Sequence, residues 1–131
     1  MARISSFEDL EAWKRARVLA HGIYQCSAKG ALARDTALRD QIRRPVVSVI
    51  SNIAEGFDRG GDKEFIQFLF VAKGSCAEVK AQLYVALDQR YLTQEEFQGL
   101  SEQTSEVGRL IGGPIRYLQR SELRGRKYKP R

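Results

Sequence analysis

Residues 62–89 decide the fold, and they read DKEFIQFLFVAKGSCAEVKAQLYVALDQ. Apolar residues recur in this stretch at steps of three and four, which is the spacing of one face of an α-helix. The repeating positions are Phe65, Leu69, Ala72, Cys76, Val79, Leu83 and Ala86. The pattern predicts one long helix over residues 62–89, with Asp62 as its N-cap.

The first three turns of this helix carry more apolar residues than one core-facing stripe needs. The additional side chains are Ile66, Phe68, Phe70 and Val71. A helix that is apolar nearly all round must bury a second face, and an exposed apolar patch marks contact with another molecule. We therefore predict a subunit interface at these four residues. The alternative is that this helix lies at the centre of a lone bundle.

Three further segments, residues 6–27, 35–57 and 93–120, show the same helical periodicity. Residues 28–34 lack it and are predicted to form a loop. No segment alternates apolar and polar residues as a half-buried strand does. Four helices with short connections predict an all-α fold, an antiparallel up-and-down four-helix bundle over residues 1–120.

Local signals mark the ends and the bends of these helices. Capping residues are expected at the helix starts, namely Ser5 with Glu8, Asp35 or Thr36, and Thr93 with Glu96. Pro45 predicts a kink or a restart in the second helix, because proline removes a backbone donor. A bend is likewise expected at residues 112–114, which read Gly-Gly-Pro.

Most of the net charge lies at the C-terminal end of the chain. The 131 residues include 22 Lys and Arg against 16 Asp and Glu, a net charge of +6. Residues 121–131 hold five basic residues and one acidic residue, so the rest of the chain is close to neutral. We predict that residues 121–131 form a basic, disordered tail.

The distribution of arginine predicts a nucleic-acid-binding surface. Arg116, Arg120 and Arg124 stand four residues apart with no acid on their ridge, which costs stability unless an anion faces them. Fifteen of the 22 basic residues are Arg, whose planar guanidinium suits phosphate. The predicted binding residues are Arg43, Arg116, Arg120, Arg124, Arg126, Lys127 and Lys129. A tail that only confers solubility is the alternative.

Four polar residues share one face of the second helix. They are Gln41, Ser48, Asn52 and Glu55. Their spacing of seven, four and three residues favours a buried, hydrogen-bonded polar seam that fixes the register of the helices. The alternative interpretation is a site for a small molecule.

Catalytic residues and metal ligands are scarce. The chain has one histidine, His21, and two cysteines, Cys26 and Cys76, without the spacing of metal ligands or redox motifs. The phosphate-binding glycine loop and the paired Glu-x-x-His motifs of di-iron bundles are missing from the sequence. We therefore expect no enzymatic activity, no metal and no cofactor. No apolar run is long enough to span a membrane and no signal peptide is recognisable, so a cytoplasmic location is expected.

Several short motifs together carry a resemblance to a known family. They are Phe7-x-Asp9-Leu10-x-x-Trp13, Leu38-x-x-Gln41-Ile42-Arg43-Arg44, Ser51-Asn52-Ile53-Ala54-Glu55-Gly56, Lys63-Glu64-Phe65-x-x-Phe68-Leu69 and Ala72-Lys73-Gly74-Ser75. Over residues 7–118 the chain resembles the small bacterial four-helix-bundle proteins called 23S ribosomal RNA intervening-sequence, or S23, proteins. Pro45 and Ile50 depart from the pattern, since the family usually has alanine and proline there, so the kink of the second helix is displaced.

The resemblance implies a four-helix bundle, a ring-shaped homopentamer, contact with RNA or DNA through a basic surface, and no enzymatic activity. Together with the residues above, it leads to the hypothesis of an oligomeric bundle that binds structured RNA or another nucleic acid. A scaffold or protein-partner module without nucleic-acid binding is the alternative.

Overall fold

The computed structural model describes the backbone of residues 4–128 and the side chains of residues 4–121. All regular structure in this part of the chain is helical. A short 3₁₀ helix, Phe7–Asp9, precedes five α-helices: α1 (Glu11–Ser27), α2 (Gly30–Arg34), α3 (Thr36–Asp58), α4 (Asp62–Asp88) and α5 (Gln94–Tyr128). The predicted all-α class is confirmed.

The four long helices pack as an antiparallel bundle. α3 packs against α1 and α4, and α5 packs against α4 and α1. The pairs α1/α4 and α3/α5 therefore occupy diagonal corners. Short connections join α3 to α4 and α4 to α5, which makes successive helices antiparallel neighbours.

The core follows the helical periodicity of the sequence. In α4 the positions Leu69, Ala72, Cys76, Val79, Leu83 and Ala86 are all buried, whereas Phe65 is half-buried. The other helices meet them with fully buried branched residues, among them Leu19, Ile23, Ile42, Ile53 and Ile111. The bundle thus encloses one continuous apolar core.

Hydrogen bonds at two helix starts follow the expected capping pattern. The Oδ1 atom of Asp35 accepts a bond from the backbone N–H of Leu38 at 3.1 Å, and Asp35 is the N-cap of α3. Thr93 and Glu96 form the reciprocal bonds of a capping box, each at 3.0 Å. The backbone N–H of Thr93 holds the pKa of the Glu96 carboxyl below its ordinary value.

The structure corrects four local predictions near the N-terminal half of the bundle. The first capping box joins Ser6 to Asp9, not Ser5 to Glu8, and it starts the 3₁₀ helix. Residues 28–34 are not a plain loop, because α2 forms there around the fully buried Leu32. The N-cap of α4 is Gly61 rather than Asp62. The fourth correction concerns α3, which continues as one helix through the buried Pro45, so that of the two predicted alternatives the restart is wrong and the kink stays a prediction.

The predicted end of the last helix at residue 120 is also wrong. α5 continues through Gly-Gly-Pro at 112–114 and reaches Tyr128. Ile115 is buried and Leu118 packs against the core, so apolar contacts continue after the proline. Beyond them, most of residues 119–127 are good helix formers. Residues 121–128 are therefore helical rather than a disordered tail, and residues 129–131 lie outside the described part of the chain.

Asp35 also links two distant parts of the chain, which makes its replacement informative. Its Oδ2 atom accepts a bond from the Tyr91 hydroxyl at 3.0 Å, and this bond raises the pKa of Tyr91. We expect Asp35→Ala to lower the free energy of unfolding by about 1–2 kcal/mol, measured by urea denaturation, because it removes a cap and a tertiary bond. Asp35→Asn, which keeps a capping oxygen, should lose less. Equal losses in the two variants would contradict this assignment.

Candidate nucleic-acid interface

The outer face of α5 carries exposed arginines in the part that the sequence analysis singled out. Arg116 and Arg120 are exposed, and Arg109, which the sequence analysis missed, is exposed two turns earlier on the same face. A methyl group at Gly112 would lie 3.1 Å from Nη1 of Arg116, so the Arg116 guanidinium lies back along its own helix. The sequence does contain a signal for Arg109, because it precedes Arg116 by seven residues, which is two helical turns, and therefore lies on the same side of the helix. Glycines separate the two arginines.

These arginines differ from three others of the bundle, which form ion pairs. Arg15, Arg39 and Arg59 each form an ion pair, with shortest N–O distances of 3.4, 3.0 and 2.7 Å. None of Arg109, Arg116 and Arg120 forms an ion pair with another side chain that the structure describes. The outer face of α5, defined by these three residues, therefore has uncompensated positive charge.

The remaining predicted basic residues continue α5. Arg124, Arg126 and Lys127 lie on its helical backbone, whereas their side chains, and all of Lys129, lie outside the described residues. At a rise of 1.5 Å per residue, the 35 residues of α5 span about 52 Å and the 27 residues of α4 about 40 Å. Because the two helices are joined by a short turn at one end, α5 extends beyond the bundle at the other.

Arg43 occupies a different setting from the α5 arginines. It is half-buried, and its Nε donates to Ser27 Oγ at 2.7 Å. Its Nη2 donates to the carbonyl of Tyr24 at 3.5 Å, and the guanidinium carbon lies 4.5 Å from the centroid of the Tyr24 ring. Arg43 thus joins α3 to α1 and holds the Tyr24 ring, and its predicted contact with nucleic acid stays a prediction.

The structure divides the predicted polar seam into a bonded part and an exposed part. Asn52 Nδ2 donates to the Ser48 carbonyl at 2.8 Å and to Ser48 Oγ at 3.0 Å. Ser75 of α4, which the sequence analysis missed, donates its hydroxyl to Ser48 Oγ at 3.0 Å. Gln41 and Glu55 are exposed, and Glu55 pairs with Arg59. Of the four predicted residues, only Ser48 therefore forms a hydrogen bond between helices, and Asn52 bonds to Ser48 within α3.

A cleft that could hold a small molecule, the alternative interpretation of these polar residues, lies at one end of the polar face of α3. It has a volume of about 410 Å³ and lies between α3 and α4. Its lining consists of Gln41, Arg44, Pro45, Ser48, Ser75, Glu78 and Gln82. Asn52 and Glu55 do not line it, so the four predicted residues do not converge on one site.

The predicted interface residues also separate into two groups. Ile66 is buried within its own chain, at 8% exposure, so it is not part of a free surface. Phe68 is half-buried against Gly56 of α3. Phe70 and Val71 are 48% and 53% exposed. Their patch continues along the same side of α4 through residues that the sequence analysis did not include: Gly74, Ala77, Ala81, Tyr84 and Val85.

We call this patch, from Phe70 to Val85, the outer face of α4. Its one charged residue is the exposed Glu78, which lies between Val71 and Val85 towards one edge, and Tyr84 and Val85 are about half exposed. Such a face on a surface helix is typical of a contact with another molecule.

The two cysteines are structural. Cys26 and Cys76 are buried and unpaired, and burial raises the pKa of each thiol to about 11. They therefore remain protonated at neutral pH. Across the described residues, no cluster of three metal-ligating side chains occurs, and no helix has both the length and the apolar character needed to cross a membrane.

Comparison with known proteins matches this fold to a family. The family model described as "23S rRNA-intervening sequence protein" matches residues 8–113. A crystal structure of a protein of unknown function from the S23 ribosomal protein family of Bacteroides thetaiotaomicron has a similar fold, with a TM-score of 0.75 and 20% sequence identity. The similarity covers 80% of this chain and 95% of that chain. No curated protein matches the chain. Because the family model spans all four long helices, the chain belongs to the 23S rRNA-intervening sequence protein family.

Proposed function

We propose that this protein is an oligomeric, non-enzymatic bundle that binds nucleic acid, with structured RNA as the first ligand to test. The observation that carries the proposal is the row of exposed, unpaired arginines on the outer face of α5. Arginine donates two parallel hydrogen bonds to phosphate, and its charge is independent of pH in the physiological range.

The geometry of α5 supports contact with a nucleic-acid backbone. Arg109 and Arg120 are eleven residues apart, which is about 16 Å along the helix axis. The basic residues at 124, 126 and 127 extend this row along the same helix. A positive row of this length attracts a polyanion and releases counterions from it. The family name refers to an intervening sequence of 23S rRNA, which is the reason to begin with RNA.

Self-association is the second element of the proposal. The outer face of α4 presents Phe70 and Val71 with a run of small residues and two further apolar side chains. A second copy of the chain is the occupant we propose for it, and a ring of five copies is what the family resemblance implies.

The salt dependence of RNA binding tests the role of α5. We expect the triple variant Arg109→Gln, Arg116→Gln, Arg120→Gln to reduce the slope of log affinity against log salt by about 2–3, since each phosphate contact contributes about 0.7–0.9. Fluorescence anisotropy with a labelled RNA hairpin, over a series of KCl concentrations, measures the slope.

The chain offers a matched control for this experiment. Arg15→Gln, Arg39→Gln, Arg59→Gln removes the same charge from arginines that already have ion-pair partners. It should reduce the slope much less. Equal losses in both triple variants, or no RNA binding by the wild-type protein at low salt, would contradict the proposal.

A protein-partner module is the second candidate function, and the outer face of α4 favours it. If that face binds a different protein, a pull-down should recover one stoichiometric partner after nuclease treatment. Phe70→Asp should then abolish recovery of that partner. The variant Arg109→Gln, Arg116→Gln, Arg120→Gln should still recover it.

A further inference from the structure

A second group of basic residues lies on α1, far in sequence from the C-terminal charge. Residues 12–34 contain no Asp or Glu, although the chain has 16 of them in 131 residues. The same segment holds five basic residues and the single histidine: Lys14, Arg15, Arg17, Lys29, Arg34 and His21. Arg15 pairs with Glu11 and Glu106 and Lys29 pairs with Glu96, whereas Lys14 and Arg17 of α1 form no ion pair with a side chain that the structure describes.

Four of the residues on α1 line up on one exposed side. Lys14, Arg17, His21 and Tyr24 follow steps of three, four and three, and all four are exposed. Arg44 adds an exposed guanidinium from α3, beside Tyr24. We call these residues, together with Trp13, the α1/α3 face.

Two aromatic rings are fixed within this face. Trp13 is half-buried, packs edge-on against Phe7 at a centroid distance of 5.0 Å, and has the Arg17 guanidinium 5.8 Å from its ring centroid. The indole Nε1–H of Trp13 is buried and has no hydrogen-bond partner among the residues that the structure describes. Tyr24 is 41% exposed and is held by Arg43. Each ring thus lies beside an arginine.

Each ring borders a cleft on the surface. Trp13, Lys14, Arg17, Val18 and His21 line one of about 410 Å³. The other, about 430 Å³, is lined by Tyr24, Asp40, Arg43, Arg44 and Val47. Their aromatic residues are eleven positions apart on α1, about 16 Å along its axis. Asp40 is the sole acid in either lining, and its carboxylate pairs with Arg39 at 3.0 Å.

We propose that the α1/α3 face binds unpaired nucleotides of a single-stranded nucleic acid. Aromatic rings stack on bases only where the bases are exposed, and bases in a duplex are not. Lys14, Arg17 and Arg44 supply the charge for the phosphates between two stacked bases. An acidic peptide would satisfy the cations but would leave the two rings without planar partners.

This inference rests on the proposed function, that the protein binds nucleic acid, but it assigns the binding of single strands to the α1/α3 face and the binding of folded RNA to the outer face of α5. The α5 arginines form a charged row with one exposed ring, Tyr117, beside it, and they suit the backbone of folded RNA. The α1/α3 face has two rings, each at a surface cleft and each beside an arginine, so it should select single strands.

Trp13 provides a direct readout, because it is the only tryptophan of the chain. We expect an eight-nucleotide oligouridine, titrated at low salt into the full-length protein, to change Trp13 fluorescence to saturation. The variant Lys14→Gln, Arg17→Gln, Arg44→Gln should weaken this binding about tenfold or more through lost phosphate contacts. Tyr24→Ala should weaken it about tenfold, as loss of one stacked base does, and Tyr24→Phe should retain it.

The control variant lies on the same helix. Arg15→Gln removes one positive charge from the side of α1 that faces Glu106 of α5, and it should leave oligouridine binding nearly unchanged, whereas Arg17→Gln alone should weaken it. Circular dichroism and thermal melting check that each variant is folded.

The outcomes separate this inference from the proposed function. If RNA hairpins bind with the α5-dependent salt slope but oligouridine leaves Trp13 unchanged, the inference is wrong and the proposed function stands. If a duplex or an oligoglutamate changes Trp13 fluorescence as strongly as oligouridine, the face is a general polyanion site and the inference is also wrong. If neither RNA binds, the proposed function itself fails.

Discussion

Gly56→Ala should destabilise this protein by about 1–3 kcal/mol, even though alanine is the better helix former. Gly56 is buried where α3 meets α4. A β-carbon at this position would lie 2.5 Å from Cβ of Phe68 and 3.1 Å from Cδ1 of Phe65. The β-carbon of Phe68 is fixed to the backbone and cannot rotate away, so the two helices would have to separate. Their separation would loosen the largest helix–helix contact of the bundle.

Gly99→Ala is the matched control for this prediction. Gly99 is also in a helix, but no atom of a neighbour lies within 4 Å of its ideal β-carbon position. This variant should gain up to about 1 kcal/mol from helix propensity. Urea unfolding at one fixed protein concentration measures both variants, because association would link stability to concentration. A Gly56→Ala variant as stable as Gly99→Ala would mean that α3 and α4 do not approach this closely.

Phe70→Asp should convert the proposed oligomer into monomers of 14.9 kDa. Phe70 lies on the outer face of α4 and is half exposed within its chain, so a charge there is tolerated by the monomer. The same charge buried in an interface would lack a partner and be strongly unfavourable. Multi-angle light scattering at micromolar concentration gives the mass, and circular dichroism should show unchanged helix content.

Two comparison variants sharpen this test. Gln119→Asp places the same charge on an exposed site of α5 and should leave the mass unchanged. Ile66→Asp should unfold the chain instead of dissociating it, because Ile66 is buried. A wild-type protein that is monomeric at micromolar concentration would contradict the interface at α4.

The sequence was sufficient for those features that depend on local periodicity. Leu69, Val79 and Leu83 are buried as their spacing predicts, and Asp35 and Thr93 cap helices as their residue types predict. Such features follow from one helix and its own ends. The family motifs carried the same information, so the fold was predictable over nearly the whole bundle.

Features that depend on two helices were less predictable. The spacing of apolar residues in α4 did not predict that Ile66 is buried within its own chain. The first turns of α4 are apolar on more than one side, and the helices that pack against α4 decide which of these sides is covered. The contact between Ser75 and Ser48 joins residues 27 positions apart, and no local pattern connects them. The sequence itself shows that residues 12–34 contain no acidic residue. That the basic residues of α1 lie beside Arg44 depends on how α1 packs against α3, which the sequence does not show.

The helical backbone of residues 121–128 has a thermodynamic consequence for binding. A flexible basic tail would lose about 1–2 kcal/mol of conformational entropy for each residue that became fixed on a ligand. In α5 this backbone is already helical, so under the proposed function its arginines would meet phosphates at preset spacings. This helix should therefore discriminate among ligands by the distances between their phosphates. Two glycines inserted after Ser121 would reduce that discrimination and leave the net charge unchanged.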